Sequence, residues 1–475
     1  MKRDDVAVVR IADFAAGGKS IARVDGLVVF VPGAVPGDTA RVRVRKVKSN
    51  FVETEVIELL QKSELRMAPR CSHFGTCGGC KWQQATYAAQ LDFKRRQVID
   101  ALERIGGFRD LVVRDVIGSG EQYFYRNKME FSFGPKWVER EKFRGARTEN
   151  GHSLALGLHP AALFSKVLDL TECFLQSPLS NRILDVVRRI AIDQGLTFYS
   201  TVTHTGFLRN LVIRDGKRTG DVMVNLVTSE DRPEFMRSFT ETLLAACPEI
   251  STVLNNITTR KSQVAVGEYE RVYHGPGYIT EKLGDRVFHV SANSFFQTNT
   301  AQAERLYEAA VRMADLNTDD VVYDLYTGTG TIALFLADRV RTVIGVESVE
   351  ASVLDARRNA DLNHVSNCFF ETGDLKEKLT HDQGWMARHG LPSVIILDPP
   401  RSGTHGKVIQ RMLEIAPDRI VYVSCNPATQ ARDLKLLCED GSYTIREVQP
   451  VDMFPHTEHI ECVVGLRRAE SVGGT

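Results

Sequence analysis

From about residue 300 onward, short apolar runs alternate with helical stretches, and this alternation limits the possible folds more than any other feature of the chain. "VVYDLYTGTG" leads into a helical stretch, "TVIGVES" into "SVLDARRNADLN", "SVIILDPPRSG" into another helical stretch, and "RIVYVSCNP" into "ATQARDLKLLCED". Strand–helix alternation of this kind builds a doubly wound parallel sheet. Such sheets bind ligands outside the carboxyl ends of their strands. The polar and glycine-rich motifs of this half all stand at predicted strand ends. The expected fold class is therefore α/β, with a Rossmann-like domain over residues 286–475.

A chain of 475 residues is too long for one core. Residues 1–62 read as short strands broken by Pro-Gly turns, the pattern of a small OB-type β-barrel. "RVRVRKVK" puts Arg41, Arg43 and Arg45 on one side and Val42 and Val44 on the other, with a phase slip at Arg45–Lys46 that predicts a bulge. The first fifty residues hold ten Lys/Arg against five Asp/Glu, so this domain reads as basic and suited to nucleic acid. Residues 63–285 read as a central α+β domain that opens on a Cys-rich loop. A helix over about 82–106 is placed to pack on the catalytic domain, and another helix is expected near 232–246. No apolar run is long enough to cross a bilayer, and "MKRDDVAVVR" has no signal-peptide core. Cytoplasm and a monomer are the expectations.

"YDLYTGTGTIAL" follows an apolar strand and opens a helix. Gly328 and Gly330 let the backbone approach a ligand at a helix N-terminus. Gly328-x-Gly330-x-x-Ala333 also fits a dinucleotide site. Asp324 decides between them: an acid there would repel a pyrophosphate, but it tolerates the cationic S-adenosylmethionine. Glu347 ends the next strand, where an acid suits two ribose hydroxyls. Asp398 heads a rigid Pro-Pro shelf at the same edge.

Cys425 ends the strand after Asp398. Read alone, it is as easily a small core residue as a nucleophile. Cys438 and Cys462, in apolar helix-like and strand-like stretches, read as core. Glu461, in "VDMFPHTEHIECVVGL", can return to the same edge, with His456 and His459 nearby. A thiolate, a carboxylate and a methyl donor suit one reaction. Thiolate addition to C6 of uracil makes C5 nucleophilic, C5 takes the methyl group, and a base removes the C5 proton.

"SANSFFQTN", "DLYTGTG", "LDPPRSG", "SCNP" and "FPHTEHIE" occur in one order over nearly the whole chain. As a set they resemble the RNA uridine-5-methyltransferases, in particular the ribosomal-RNA type with an N-terminal TRAM domain and an iron–sulfur cluster. The resemblance implies Cys425 as nucleophile and Glu461 as base. It implies cofactor contacts at Gln297, Tyr326, Thr331, Glu347, Asp374 and Asp398. Two positions depart from the pattern: Thr327 stands where many members have cysteine, and Thr331 where many have asparagine.

"CSHFGTCGGC" gathers Cys71, Cys77 and Cys80 within ten residues. Zinc and an iron–sulfur cluster both accept thiolates, and Cys173 of "TECFLQSP" is the candidate fourth ligand, with His73 as a substitute. From spacing alone zinc is modestly favoured. The resemblance implies a [4Fe–4S] cluster on Cys71, Cys77, Cys80 and Cys173, in a structural or RNA-positioning role.

The expected function is S-adenosylmethionine-dependent formation of 5-methyluridine in structured RNA, with 23S ribosomal RNA favoured and transfer RNA as the alternative. Amine methylation is disfavoured, because Arg401 follows the prolines and Cys425 is present. A non-catalytic iron–sulfur RNA-binding protein would need no Cys425–Glu461 pair. Tyr125, Arg126 and Lys128 are candidate RNA contacts, and Phe296 a candidate neighbour of a uracil taken out of its stack.

Overall fold

The structure, a computed structural model, describes every residue except 16, 138–153, 162, 201–202, 262–264, 381–383 and 470–475. The C-terminal half carries a seven-stranded sheet: β1 (Val321–Leu325), β2 (Thr342–Glu347), β3 (Cys368–Thr372), β4 (Val394–Leu397), β5 (Arg419–Ser424), β6 (Tyr443–Val451) and β7 (Glu461–Arg468). Their spatial order is β3-β2-β1-β4-β5-β7-β6. The first five pair in parallel, and β7 runs antiparallel between β5 and β6. Strands buried on both faces read as continuous apolar runs, which is why "VVY", "VIIL" and "IVYV" carry no alternation.

The pleat divides these residues between two cores. Val322, Val343, Ile396, Val421 and Val423 pack on one face with Leu306 and Tyr307 of a helix over Thr300–Ala314. Tyr323, Ile344, Ile395, Ile420 and Tyr422 pack on the other with the helices Gly406–Ile415 and Pro427–Cys438. Helix α1 (Tyr87–Ala101), followed by a π turn to Gly106, adds Val98, Ala101 and Leu102 to this second core. The helix from the Cys-rich region therefore sits against the C-terminal half.

The N-terminal six-stranded sheet wraps a core of small β-branched residues, among them Val29, Val31, Val42, Val44 and Val52. The expected bulge is present: the ladder from Thr39–Val47 to Phe51–Gln61 shifts register between Val44 and Lys46. The basic stripe is not a free cationic face. Arg41 pairs with Glu58, Arg43 and Arg45 with Glu55, and Lys46 with Glu53 across the neighbouring strand. The sheet docks on α1 through Phe14, whose ring stacks on Trp82 at 4.8 Å and meets Phe93 edge-on at 4.6 Å.

The central seven-stranded sheet spans strands from Lys128 to His274 and carries the helices Pro178–Asp193 and Pro233–Ala246 on one face. The hairpin Tyr278–Leu283/Arg286–Ser291 straddles residue 285 and packs Ile279, Leu283, Phe288 and Val290 into the core of the C-terminal half. Among the described residues no helix is long and apolar enough to cross a membrane.

Candidate active site

Gly328 and Gly330 adopt φ of +57° and +78°, and Tyr326, just before them, is left-handed too at +66°. These turns carry the chain from β1 into the short helix Thr331–Leu336. A Cβ on Gly330 would stand 3.0 Å from the Phe370 ring and 3.1 Å from Ala356 Cβ. Asp324 sits beneath the loop. It is fully buried, and its Oδ2 accepts from Thr327 Oγ1 at 2.5 Å and from the Ala333 amide at 3.1 Å. Burial lifts its carboxyl to about 7.

Glu347 ends β2 beside this loop. Its Oε2 accepts from the Gly328 amide at 3.1 Å and its Oε1 from the Val349 amide at 2.9 Å. A cleft with about 460 Å³ of free space, partly open to solvent, opens here, lined by Tyr326, Glu347, Asp374, Lys376 and His405 among others. Three of the six expected cofactor residues thus meet in one cleft. Ser348, Lys376, His405 and Val408 line it as well, and nothing in their spacing pointed there. Thr331 heads its helix with its hydroxyl 3.0 Å from the buried Tyr307 hydroxyl. Gln297 is buried, and its carbonyl accepts from Asn127 Nδ2 at 2.8 Å.

The second cluster is set by strand register. Ser424 of β5 pairs with Cys462 of antiparallel β7, so Cys425 and Glu461 leave the sheet side by side. The turn after Cys425 is fixed by its own polar groups: the Asn426 amide donates to Ser424 Oγ at 3.1 Å, and Asn426 Oδ1 caps the next helix at the Ala428 amide. Asn426 Nδ2 also donates to the Arg401 carbonyl at 2.9 Å, tying this turn to the Pro-Pro shelf.

Cys425, Glu461, Asp398 and Arg401 feel one another's charge. Burial, then Glu461, then Asp398 push the Cys425 thiol up to about 11, and Arg401 works the other way. Burial and Asp398 hold the Glu461 carboxyl well above the usual carboxylate range. Its Oε2 is buried with no hydrogen-bond partner. Burial and Asp324 raise Asp398 to about 7. Arg401 also meets His459 Nδ1 at 3.5 Å. In the sequence Arg401 bears only on the shelf; its contact with this cluster follows from the turn geometry.

Two other expectations change. Phe296 is buried 5.9 Å from the Phe288 ring, and its neighbour Phe295 is the exposed one at 63%. Tyr125 is buried and donates to the Pro455 carbonyl at 3.0 Å, so it holds a loop and presents no face to RNA. His456, close to Glu461 in sequence, is buried at φ +68°, and burial pushes its imidazole down to about 4.

Cys71, Cys77, Cys80 and Cys173 line one pocket with Glu172 and His73, and none is in a disulfide. His73 Nε2 is occupied by Thr171, whose amide donates to it at 3.2 Å. Burial lifts the Cys77 thiol to about 11 and the Cys80 thiol to about 12. The Gly79 amide points at Cys77 Sγ, 3.4 Å away. Among the described residues, no three His, Cys, Asp or Glu side chains are arranged to hold a metal ion.

Residues 236–469 match the sequence model of the tRNA (uracil-5-)-methyltransferase family, and residues 5–57 match the TRAM domain. An uncharacterized RNA methyltransferase of Chlorobaculum tepidum is 44% identical over 99% of this chain and 98% of its own length. One of Bacteroides thetaiotaomicron is 42% identical over 95% and 99%. The crystal structure of the Pyrococcus abyssi tRNA (uracil-54, C5)-methyltransferase in complex with S-adenosyl-L-homocysteine superposes with a TM-score of 0.73 at 30% identity, over 96% of this chain and 99% of that one.

Proposed function

The chain belongs to the tRNA (uracil-5-)-methyltransferase family of RNA methyltransferases, and from that premise we propose that it forms 5-methyluridine in 23S ribosomal RNA with Cys425 as nucleophile and Glu461 as base. Membership gives the enzyme class, an S-adenosylmethionine-dependent RNA (uracil-5-)-methyltransferase. The reading of the two residues rests on one observation: the Ser424–Cys462 register sets Cys425 beside Glu461 at the ligand edge of the sheet.

Uracil C5 is too weak a nucleophile to react unaided. The Cys425 thiolate adds to C6, a C–S bond forms, and the ring becomes an enolate with its electron density at C5. S-adenosylmethionine, when bound, would supply a methyl group on a cationic sulfur; C5 takes the methyl as the methyl–sulfur bond breaks, and the neutral S-adenosylhomocysteine leaves. Glu461 takes the C5 proton, the C6–S bond breaks, and the thiolate is regenerated. A carboxyl held above its ordinary range is a stronger base, which suits Glu461 to this proton. Arg401 favours the Cys425 thiolate against the two carboxylates. Tyr326, Glu347 and Asp374 would hold the cofactor in their cleft, with Glu347 on the ribose, and Gln297, Thr331 and Asp398 complete the proposed contacts.

Cys71, Cys77, Cys80 and Cys173 would hold a [4Fe–4S] cluster. These four side chains line one pocket, and thiolates are the donors that such a cluster takes. Its part would be to fix the loop, because the proposed reaction transfers no electrons. Free cysteines throughout suit a reducing cytoplasm, with the chain acting as a monomer.

The ribosomal target rests on the four-cysteine pocket beside a TRAM domain, the feature set of the ribosomal-RNA type. Transfer RNA is the second reading, and the Pyrococcus abyssi relative favours it. Mass-spectrometric mapping of RNA from cells lacking the gene tests both. Loss of a 5-methyluridine from 23S RNA supports the first, and loss confined to transfer RNA replaces it with the second.

A further inference from the structure

Glu461 opens β7, and its closing partner is Val451 at the end of β6. The nine residues between them, Asp452–Ile460, form a loop. Glu461 Oε2 has no hydrogen-bond partner to aim it. The direction of the carboxylate therefore depends on where the backbone places residue 461.

That loop is gripped from outside at nearly every backbone group of its first half. The Asp452 amide donates to the Ile117 carbonyl at 2.9 Å, and the Asp452 carbonyl accepts from Gln302 Nε2 at 3.0 Å. Asn299 Nδ2 holds the Met453 carbonyl at 3.1 Å, and Tyr125 holds that of Pro455. The His456 amide donates to Gln90 Oε1 at 2.9 Å, and its carbonyl accepts from the Lys81 and Trp82 amides at 2.9 and 3.0 Å.

At the root of the grip lies an ion pair with both side chains at 0% exposure. Lys94 Nζ of α1 stands 2.6 Å from Asp452 Oδ1 and donates to the Phe454 carbonyl at 3.0 Å. Asp452 Oδ1 also accepts from the Phe454 amide at 3.0 Å, and Oδ2 from the Tyr87 hydroxyl at 2.9 Å. A buried ion pair adds little net stability over an apolar pair, but removing one partner leaves a buried charge uncompensated, and here the pair fixes where Asp452 sits. Asp452 is the residue immediately after the pair that closes on Glu461.

We infer that Lys94 is a positioning residue for Glu461, acting through Asp452 and the loop it anchors. The inference rests on the reading of Glu461 as the base. A slack loop leaves cofactor binding, thiolate addition and methyl transfer in place and slows the removal of the C5 proton. The methylated ring then stays bonded to Cys425.

The test uses the full chain with S-adenosylmethionine and RNA, comparing Lys94→Met, Lys94→Met/Asp452→Leu and Tyr87→Phe with Glu461→Gln. The Lys94→Met/Asp452→Leu pair removes both charges together, and Tyr87→Phe leaves the ion pair in place, so a loss of folding in the single variant does not end the test. We expect kcat to fall about 10-fold or more with KM for both substrates within about 2-fold, since a misplacement of order 1 Å can cost a catalytic group that much. We also expect a methylated protein–RNA adduct to accumulate on denaturing gels. Folded variants that lose activity without the adduct, or that keep wild-type kcat, overturn the inference. If Glu461→Gln itself traps nothing, the reading of Glu461 falls and takes the inference with it. If Glu461→Gln traps the adduct and the Lys94 and Tyr87 variants do not, only the inference falls.

Discussion

Ser424 and Cys462 face each other at the last pair of an antiparallel ladder, and that register sets Cys425 against Glu461. The chemistry of both groups follows from their closeness: each carboxylate near the thiol makes the thiolate harder to form, and Arg401 offsets part of this.

Thiol reactivity reads that balance directly. At a pH alkaline enough to ionise Glu461, Glu461→Gln removes the larger of the two opposing charges, and Cys425 is expected to alkylate with iodoacetamide several-fold faster. Arg401→Gln removes the favourable charge and is expected to slow it by about as much, one pKa step being about tenfold in thiolate. Peptide mass spectrometry of Cys425 gives both rates, and equal rates in all three proteins would contradict the assigned field.

The same field sets a pH profile. The thiol is raised to about 11, so the thiolate fraction grows as pH rises toward that value. The rate constant kcat/KM is expected to climb from neutral pH through the alkaline range, with a log–log slope near 1 while chemistry is limiting. A profile that falls over that range would place the controlling group elsewhere.

Gly330 tests the proposed cofactor loop. Gly330→Ala forces a side chain into φ +78° and against Phe370 and Ala356. The left-handed backbone alone costs about 1–2 kcal/mol. The variant is expected to melt lower and to bind S-adenosylhomocysteine at least about 10-fold more weakly by calorimetry, each tenfold being about 1.4 kcal/mol. Gly328→Ala meets no neighbour within 4 Å and carries only the strain at φ +57°, so its melting temperature is expected to drop less.

The cysteine pocket gives an analytical test. Protein purified without oxygen is expected to carry about four iron atoms per chain, with the visible absorption of an iron–sulfur cluster. Cys173→Ser is expected to lose most of the iron and His73→Ala to keep it, because His73 is engaged by Thr171. Stoichiometric zinc with no iron would contradict the cluster.

Much of this architecture was legible in the chain because parallel strands announce themselves as apolar runs, and their carboxyl ends carried Asp398 and Cys425. What stayed hidden depends on distant partners. Arg41, Arg43 and Arg45 looked like a free cationic face, but the neutralising Glu55 and Glu58 lie on the next strand, and only the register pairs them. Phe295 and Phe296 are adjacent in a loop with no periodicity, so nothing local says which ring turns inward. Nothing in the sequence around Asp324 says that its Oδ2 is held by Thr327 and the Ala333 amide of its own loop. Lys94 and Asp452 are separated by most of the chain, and neither alone suggests a bond.

Proton loss from uracil C5 is the central claim and can be measured directly. Protein purified without oxygen is given S-adenosylmethionine and unmodified RNA carrying tritium at C5 of uridine. The expected result is tritium release to water that requires the cofactor, persists in wild type, and is abolished in Cys425→Ala. Methyl transfer to RNA without tritium release, or release that survives Cys425→Ala, would contradict it.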